Sequence, residues 1–221
     1  MDLASETDLH RYLMKVAPMC PYLQPSLRDG SLIFFEVKLE TMSRADESVI
    51  PEIFAIGAFL SERILDIRLT APRPLLYSEN ALVRGIQPFV EMHPFEYPHF
   101  ILKCLYRQFG LVYGKFKLGA EASLTRKDAP VNPFDIFTIR QQTKANREAQ
   151  FFARHPELAA DFNARAEFGQ FSILRRTIRR IYLNARQKDV SETYQSFRTL
   201  MFSDGLYDAA LESVNNRYAV A

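Results

Sequence analysis

The segment Gly110-Leu111-Val112-Tyr113-Gly114-Lys115-Phe116-Lys117, together with Pro98-His99-Phe100-Ile101-Leu102-Lys103-Cys104-Leu105-Tyr106-Arg107-Gln108-Phe109 before it, decides the fold. In the second of these Phe100, Ile101, Leu102, Leu105 and Phe109 recur at helical spacing, while Leu111, Val112 and Phe116 suit a half-buried pleated surface. Residues 86–93, with Val90, and 135–141, with Ile136, Phe137 and Ile139, read as two further strands. A strand at 86–93, a helix at 98–109 and a returning strand at 110–117 make a βαβ-like unit, right-handed if its strands are parallel. His93-Pro94 then closes the first strand and Lys117-Leu118-Gly119 the second on one edge, and open α/β sheets bind ligands outside the carboxyl ends of strands.

The flanking chain reads as packing for this unit. Leu9, Tyr12, Leu13 and Val16 predict a first helix over 8–17, stopped by Pro18, and the prolines and Asp29-Gly30 predict turns over 19–30. Leu32, Phe34 and Phe35 mark a strand over 31–39, residues 40–48 a polar loop, and Pro51 opens a helix carrying Ile53, Phe54, Ile56, Phe59, Leu60 and Ile64. Residues 66–85 read mostly as loop, because Pro72 and Pro74 break the alternation of Leu65, Ile67 and Leu69. Downstream, 118–133 reads as a long polar loop hanging from the proposed site edge, and helices follow over 144–155, 156–167, 168–187, 190–202 and 204–215, with Asp189-Val190-Ser191-Glu192 as a capping box. The expected fold class is mixed α+β (α/β): a small mixed sheet with flanking helices and a C-terminal helical layer. An α/β domain over 1–143 carries the candidate site, and a helical extension over 144–221 packs on it.

Charge and composition narrow the function. Across 221 residues, 28 Lys and Arg against 26 Asp and Glu leave a net +2, which gives no reason to expect nucleic acid or an acidic membrane surface. The acidic start, Met1 to Glu6, does not resemble a secretory signal and no run reaches a membrane span, so the expected location is the cytoplasm. Cys20 and Cys104 fit no zinc spacing and read as free thiols; Cys104 reads as a small buried hydrophobe, while Cys20 before Pro21 can also offer a thiolate to a soft metal. None of His10, His93, His99 and His155 has metal-hydrolase spacing, and GxGxxG, Walker-type and GxSxG signatures are missing. His93 and His99 flank the stiff segment Pro94-Phe95-Glu96-Tyr97-Pro98, which holds an imidazole at the site edge. The basic face Arg175, Arg176, Arg179, Arg180, Arg186 and Lys188 reads as solvated or paired with acidic neighbours, with an anionic partner as the alternative.

Three pieces carry a family resemblance: Cys20-Pro21-Tyr22 with the strand after it, Phe109-Gly110-Leu111-Val112-Tyr113-Gly114-Lys115-Phe116, and Ala129-Pro130-Val131-Asn132-Pro133-Phe134-Asp135-Ile136-Phe137-Thr138-Ile139-Arg140. Over residues 17–160 the chain resembles small bacterial proteins related to the YqcI/YcgG-like heme proteins, some of which N-oxygenate amino-acid amines in natural-product biosynthesis. The resemblance implies a heme next to a Phe-His-Pro triplet at the end of the second central strand, where this chain has Phe116-Lys117-Leu118. A lysine amine ligates iron only after losing a proton from a group with a reference pKa of about 10.4. If iron is present, His93 is the first candidate ligand, His99 the second and Cys20 the third; the plainer reading of His93 is a strand cap beside Pro94. Arg140, at the arginine of the family-like Ile-Arg pair, is the candidate for a substrate carboxylate or heme propionate, its alternative being a structural arginine, and Lys117 joins it as a candidate catalytic residue.

Two classes of function therefore stand open: a heme-dependent oxygenase-like oxidoreductase acting on a small-molecule amine or amino acid, or a cofactor-free binding or accessory protein that keeps the fold. A homodimer is open in either class.

Overall fold

The computed structural model describes residues 3–20, 22–39, 49–70, 77–86, 93–106, 109–120, 129–141 and 170–218. In chain order these form α1 (Leu3–Val16), a 3-10 turn (Ala17–Met19), α2 (Leu23–Arg28), β1 (Leu32–Lys38), α3 (Val49–Thr70) and β2 (Ser78–Arg84). There follow α4 (Glu96–Tyr106), β3 (Leu111–Phe116), β4 (Asp135–Gln141), α5 (Gln170–Ala185), α6 (Val190–Ser203) and α7 (Leu206–Tyr218). The fold is mixed α+β, as the hydrophobic patterning predicts.

The strands lie in the order β1-β2-β4-β3. β1 and β2 are parallel, Leu32 opposite Ser78, and are joined through α3. β4 runs antiparallel to both neighbours, with Arg140 opposite Ser78 on one side and Val112 on the other. The crossover unit is thus β1-α3-β2. Residues 87–92, the bulk of the strand expected over 86–93, lie outside the described residues, and the strand that follows α4 is β3, which pairs antiparallel with β4.

Every residue of α3 from 52 to 62 is buried. A helix apolar on all sides belongs inside a molecule, and α3 packs on β2 and β4, on α4 and on the C-terminal helices. One continuous core runs from Val37 on β1 through Phe59 and Phe137 to Ile178, Phe197 and Ala210. A smaller core, Leu9, Tyr12, Leu82 and Ile136, sits under α1 on the opposite face of the sheet. Strand alternation sorts side chains between the two: Glu79, Ala81, Phe137, Ile139 and Tyr113 face α3 and α4, whereas Ser78, Asn80, Leu82, Ile136, Thr138 and Arg140 face α1 and α2.

Two further expectations need correction. Of the region 66–85 read mostly as loop, Asp66–Thr70 completes α3 and Ser78–Arg84 is a central strand, buried on both faces except at Arg84. Its first half escapes a pattern reading because Ser78, Glu79 and Asn80 are polar yet buried with partners. The turn region 19–30 contains α2, with Pro25 in its first turn, where a backbone N–H has no helical partner to lose. The helices expected over 144–155 and 156–167 lie outside the described residues, while those expected over 168–187, 190–202 and 204–215 correspond to α5, α6 and α7. Asp189 caps α6 by accepting from Ser191 N at 2.8 Å and Glu192 N at 3.0 Å.

Gly57 sets the closest approach in the core. A Cβ there would lie 2.2 Å from Leu102 Cδ1 of α4 and 3.1 Å from Phe137 Cε1 of β4. Gly57→Val is therefore expected to overpack the junction of α3, α4 and the sheet and cost about 1–3 kcal/mol. Thermal unfolding checks this: the midpoint falls by several degrees, and a variant as stable as the parent would refute the tight crossing.

Candidate functional site

The sheet divides the sequence-predicted residues into two groups. Cys20 and Arg140 lie together under α1 and α2, in one cleft. His93, His99 and Lys117 lie on the α4 side, bonded to Asp135, Tyr113 O and Glu96. None of His93, His99 and Lys117 lines the cleft that holds Cys20 and Arg140.

The cleft has a volume of about 150 Å³. Its floor is the outer sheet face, Phe34, Asn80, Ile136, Thr138 and Arg140, and its roof is Tyr12, Leu13 and Val16 of α1 with Tyr22 and Leu23. It exists because α1 and the six-residue α2 are the described cover for this face of a four-stranded sheet. Arg140 is half-buried at its polar end, its Cζ 4.5 Å from the Tyr22 ring centroid and one N–H donated to Gln141 O at 3.4 Å. Burial draws the guanidinium pKa down, and Tyr22 and Cys20 draw it back up. Burial also holds the Tyr12 phenol up to about 12, so it lines the cleft as a neutral group. Asn80 is committed to the sheet: its Nδ2 donates to Ile33 O at 2.9 Å and its Oδ1 accepts from Ser78 Oγ at 3.3 Å.

On the α4 side the imidazoles are built into the fold. Phe95 N donates to His93 Nδ1 at 3.3 Å, which leaves the proton on Nε2 for Asp135 Oδ1 at 3.0 Å. The same carboxylate oxygen accepts Leu118 N at 3.0 Å, so Asp135 ties the approach to α4, the end of β3 and the start of β4 together. His93 thus caps the turn that leads into α4 and is held from β4 by Asp135. Glu96 pairs with Lys115, and with Lys117 at 2.9 Å. His99 donates Nε2–H to Tyr113 O at 3.2 Å and stands edge-on to Phe137, with centroids 6.2 Å apart. Burial, and then Lys103, lower its pKa to about 4.

These positions do not fit a heme. Both His93 nitrogens are engaged, His99 is spent on a backbone carbonyl, and Lys117 is paired with Glu96. The cavity beside Cys20 and Arg140 is well below the roughly 300–1,000 Å³ that holds drug-sized ligands. Among the described residues no group of three or more His, Cys, Asp or Glu is placed to hold a metal ion. A larger hollow of about 660 Å³ runs along β1 and α6; of its polar groups, Glu52 binds Tyr194 and Arg198, while Glu36, Lys38, Ser191 and Gln195 also line it. The basic face is divided: Arg175 and Arg179 are half-buried against Glu62, Arg179 and Arg186 pair with Asp66, and Arg176, Arg180, Arg186 and Lys188 are exposed.

Sequence reasoning missed Asp135, which opens β4 with no motif around it, and gave Tyr22 no role. The alternation Ile136, Thr138, Arg140 against Phe137, Ile139 was the available signal that Arg140 and the apolar core lie on opposite faces. Comparison of the chain with family models, curated proteins and solved structures finds no match.

His99 makes stability depend on pH. The unfolded imidazole titrates near 6.5 and the folded one near 4. Between these values the unfolded chain takes up a proton that the folded chain refuses, so stability falls as pH falls, by about 3 kcal/mol from this residue. Urea unfolding at pH 7, 6, 5 and 4.5 should give a shallower decline for His99→Gln than for the parent, since other titrating groups are common to both. Equal slopes would refute the assignment.

Proposed function

We propose that this protein is a cofactor-free binding module for a small organic anion, held in the cleft between α1–α2 and the outer face of the sheet. The observation that carries this reading is Arg140 at the polar end of an otherwise apolar cavity. A guanidinium has five N–H donors in a planar fork and serves several acceptors at once, so a ligand carboxylate can join the partners Arg140 already has, Tyr22 and Gln141 among them. Tyr12, Leu13, Val16, Phe34 and Ile136 supply an apolar wall that desolvates the pair and strengthens it. Tyr22, stacked on the guanidinium, holds the fork in place. The arrangement has the parts of a recognition site, an anchor and a shaped apolar body, and no residue in it serves as nucleophile or general base in this reading.

The test is calorimetry with 4-methylpentanoate and its neutral amide. The acid is expected to bind and the amide to bind at least about tenfold more weakly, since a charge-assisted hydrogen bond contributes about 1.5–3 kcal/mol. Arg140→Gln should reduce the affinity for the acid to that for the amide while leaving the melting temperature close to the parent's. Equal binding of acid and amide, or an Arg140→Gln variant that binds the acid as the parent does, would sink the reading. A strong Soret band in protein purified from heme-supplied cells would do so as well.

A further inference from the structure

Resting on that reading of the cleft, we infer that its ligand is a small monocarboxylate without an ammonium group, and so neither an amino acid nor an amine. The lining carries a guanidinium, a thiol, hydroxyls and a carboxamide, but no Asp or Glu among the described residues. An ammonium brings three donors and no acceptor, and it needs a carboxylate or several carbonyls to replace its water. The carboxamide oxygen of Asn80 already accepts from Ser78. An α-ammonium is bonded to the carbon next to the carboxylate, so a carboxylate on Arg140 would hold the ammonium within a few bonds of the guanidinium, a like charge in a half-buried setting. An amino acid thus has one end welcomed and the adjacent group refused.

Volume narrows the class further. At about 150 Å³ the cavity lies well below the roughly 300–1,000 Å³ of sites for drug-sized molecules, so its ligand is small. The wall around it is aliphatic and aromatic, from Leu13, Val16, Phe34 and Ile136. A short branched carbon chain attached to a carboxylate matches both the small size and the chemistry.

The experiment uses the full chain at pH 7.5 and three ligands on one skeleton: 4-methylpentanoate, 2-hydroxy-4-methylpentanoate and leucine. The hydroxy acid carries a neutral substituent of similar size where leucine carries its charge, which separates charge from bulk. The expected result is comparable affinity for the acid and hydroxy acid, with leucine at least about tenfold weaker than both. Leucine binding as tightly as the acid would overturn the inference while leaving the carboxylate site intact. A hydroxy acid as weak as leucine would overturn it too, since bulk and not charge would then decide. If none of the three binds, the proposed function fails and the inference falls with it.

Discussion

Glu62 sits on α3 with no exposed surface, and a carboxylate taken out of water costs several kcal/mol unless charge and hydrogen bonds are returned to it. Tyr106 of α4 donates to Oε1 at 3.0 Å, Arg179 of α5 donates to Oε2 at 3.2 Å, and Arg175 Nε stands 3.6 Å away with its Cζ 4.0 Å above the Phe109 ring. Burial still pushes the carboxyl pKa up against both guanidinium groups. The same requirement repeats along the helix. Ser61 meets the Tyr113 hydroxyl of β3 at 2.8 Å, Glu52 takes Tyr194 and Arg198 of α6, and Arg63 donates twice to the buried Glu79 of β2. The carboxylates Glu52 and Glu62 and the guanidinium of Arg63 thus find their partners on particular neighbouring elements. Apolar packing gives α3 a reason to be inside, and these pairs select which neighbours surround it.

A helix buried in this way uses one face of the sheet completely. Phe95, Ile101, Leu105, Phe137 and Phe197 fill the α3 side, and the C-terminal helices close over it. The other face has α1 and a single short turn of α2 among the described residues, and its core is four buried residues. Because alternate residues of one strand go to opposite faces, β4 sends Phe137 and Ile139 to the crowded side and Thr138 and Arg140 to the open one. Among the described residues, this asymmetry in cover is what opens the cleft beside Arg140.

Much of this was legible in the residues and some was not. The apolar run from Ile53 to Ile64 predicts a buried helix, and the periodicity after residue 168 predicts the three C-terminal helices. β2 was hidden because a strand covered on both faces needs no alternation, and because its Ser78, Glu79 and Asn80 are polar groups whose partners, Ile139 O, Arg63 and Ile33 O, come from other elements. With β2 unseen, the parallel pairing was assigned to the stretch around α4. The ends of that stretch nevertheless meet, since Asp135 collects both His93 and Leu118 N. Arg140 could be singled out from its place at a strand end. Its company, Tyr22 and the α1 wall, is a long-range fact that no local pattern carries.

The two sides of the sheet differ in what their polar groups already do. An imidazole that caps a turn through Nδ1 and binds Asp135 through Nε2 can reach a metal only by giving up one of those bonds, and Asp135 would then keep Leu118 N as its remaining partner at this corner. Losing that contact loosens the join of α4 with β3 and β4, so ligation at His93 would be opposed by the fold itself. At Arg140 the cost runs the other way. Burial has already removed part of the guanidinium's water and lowered its pKa, with a phenol and a thiol as the neighbours that restore some of it. A carboxylate arriving there supplies a counter-charge in place of the water that burial removed, and it displaces solvent from apolar walls that gain by its loss. Structural histidines on one face and a partly desolvated arginine above a cavity on the other are the two observations on which the proposed anion-binding reading stands.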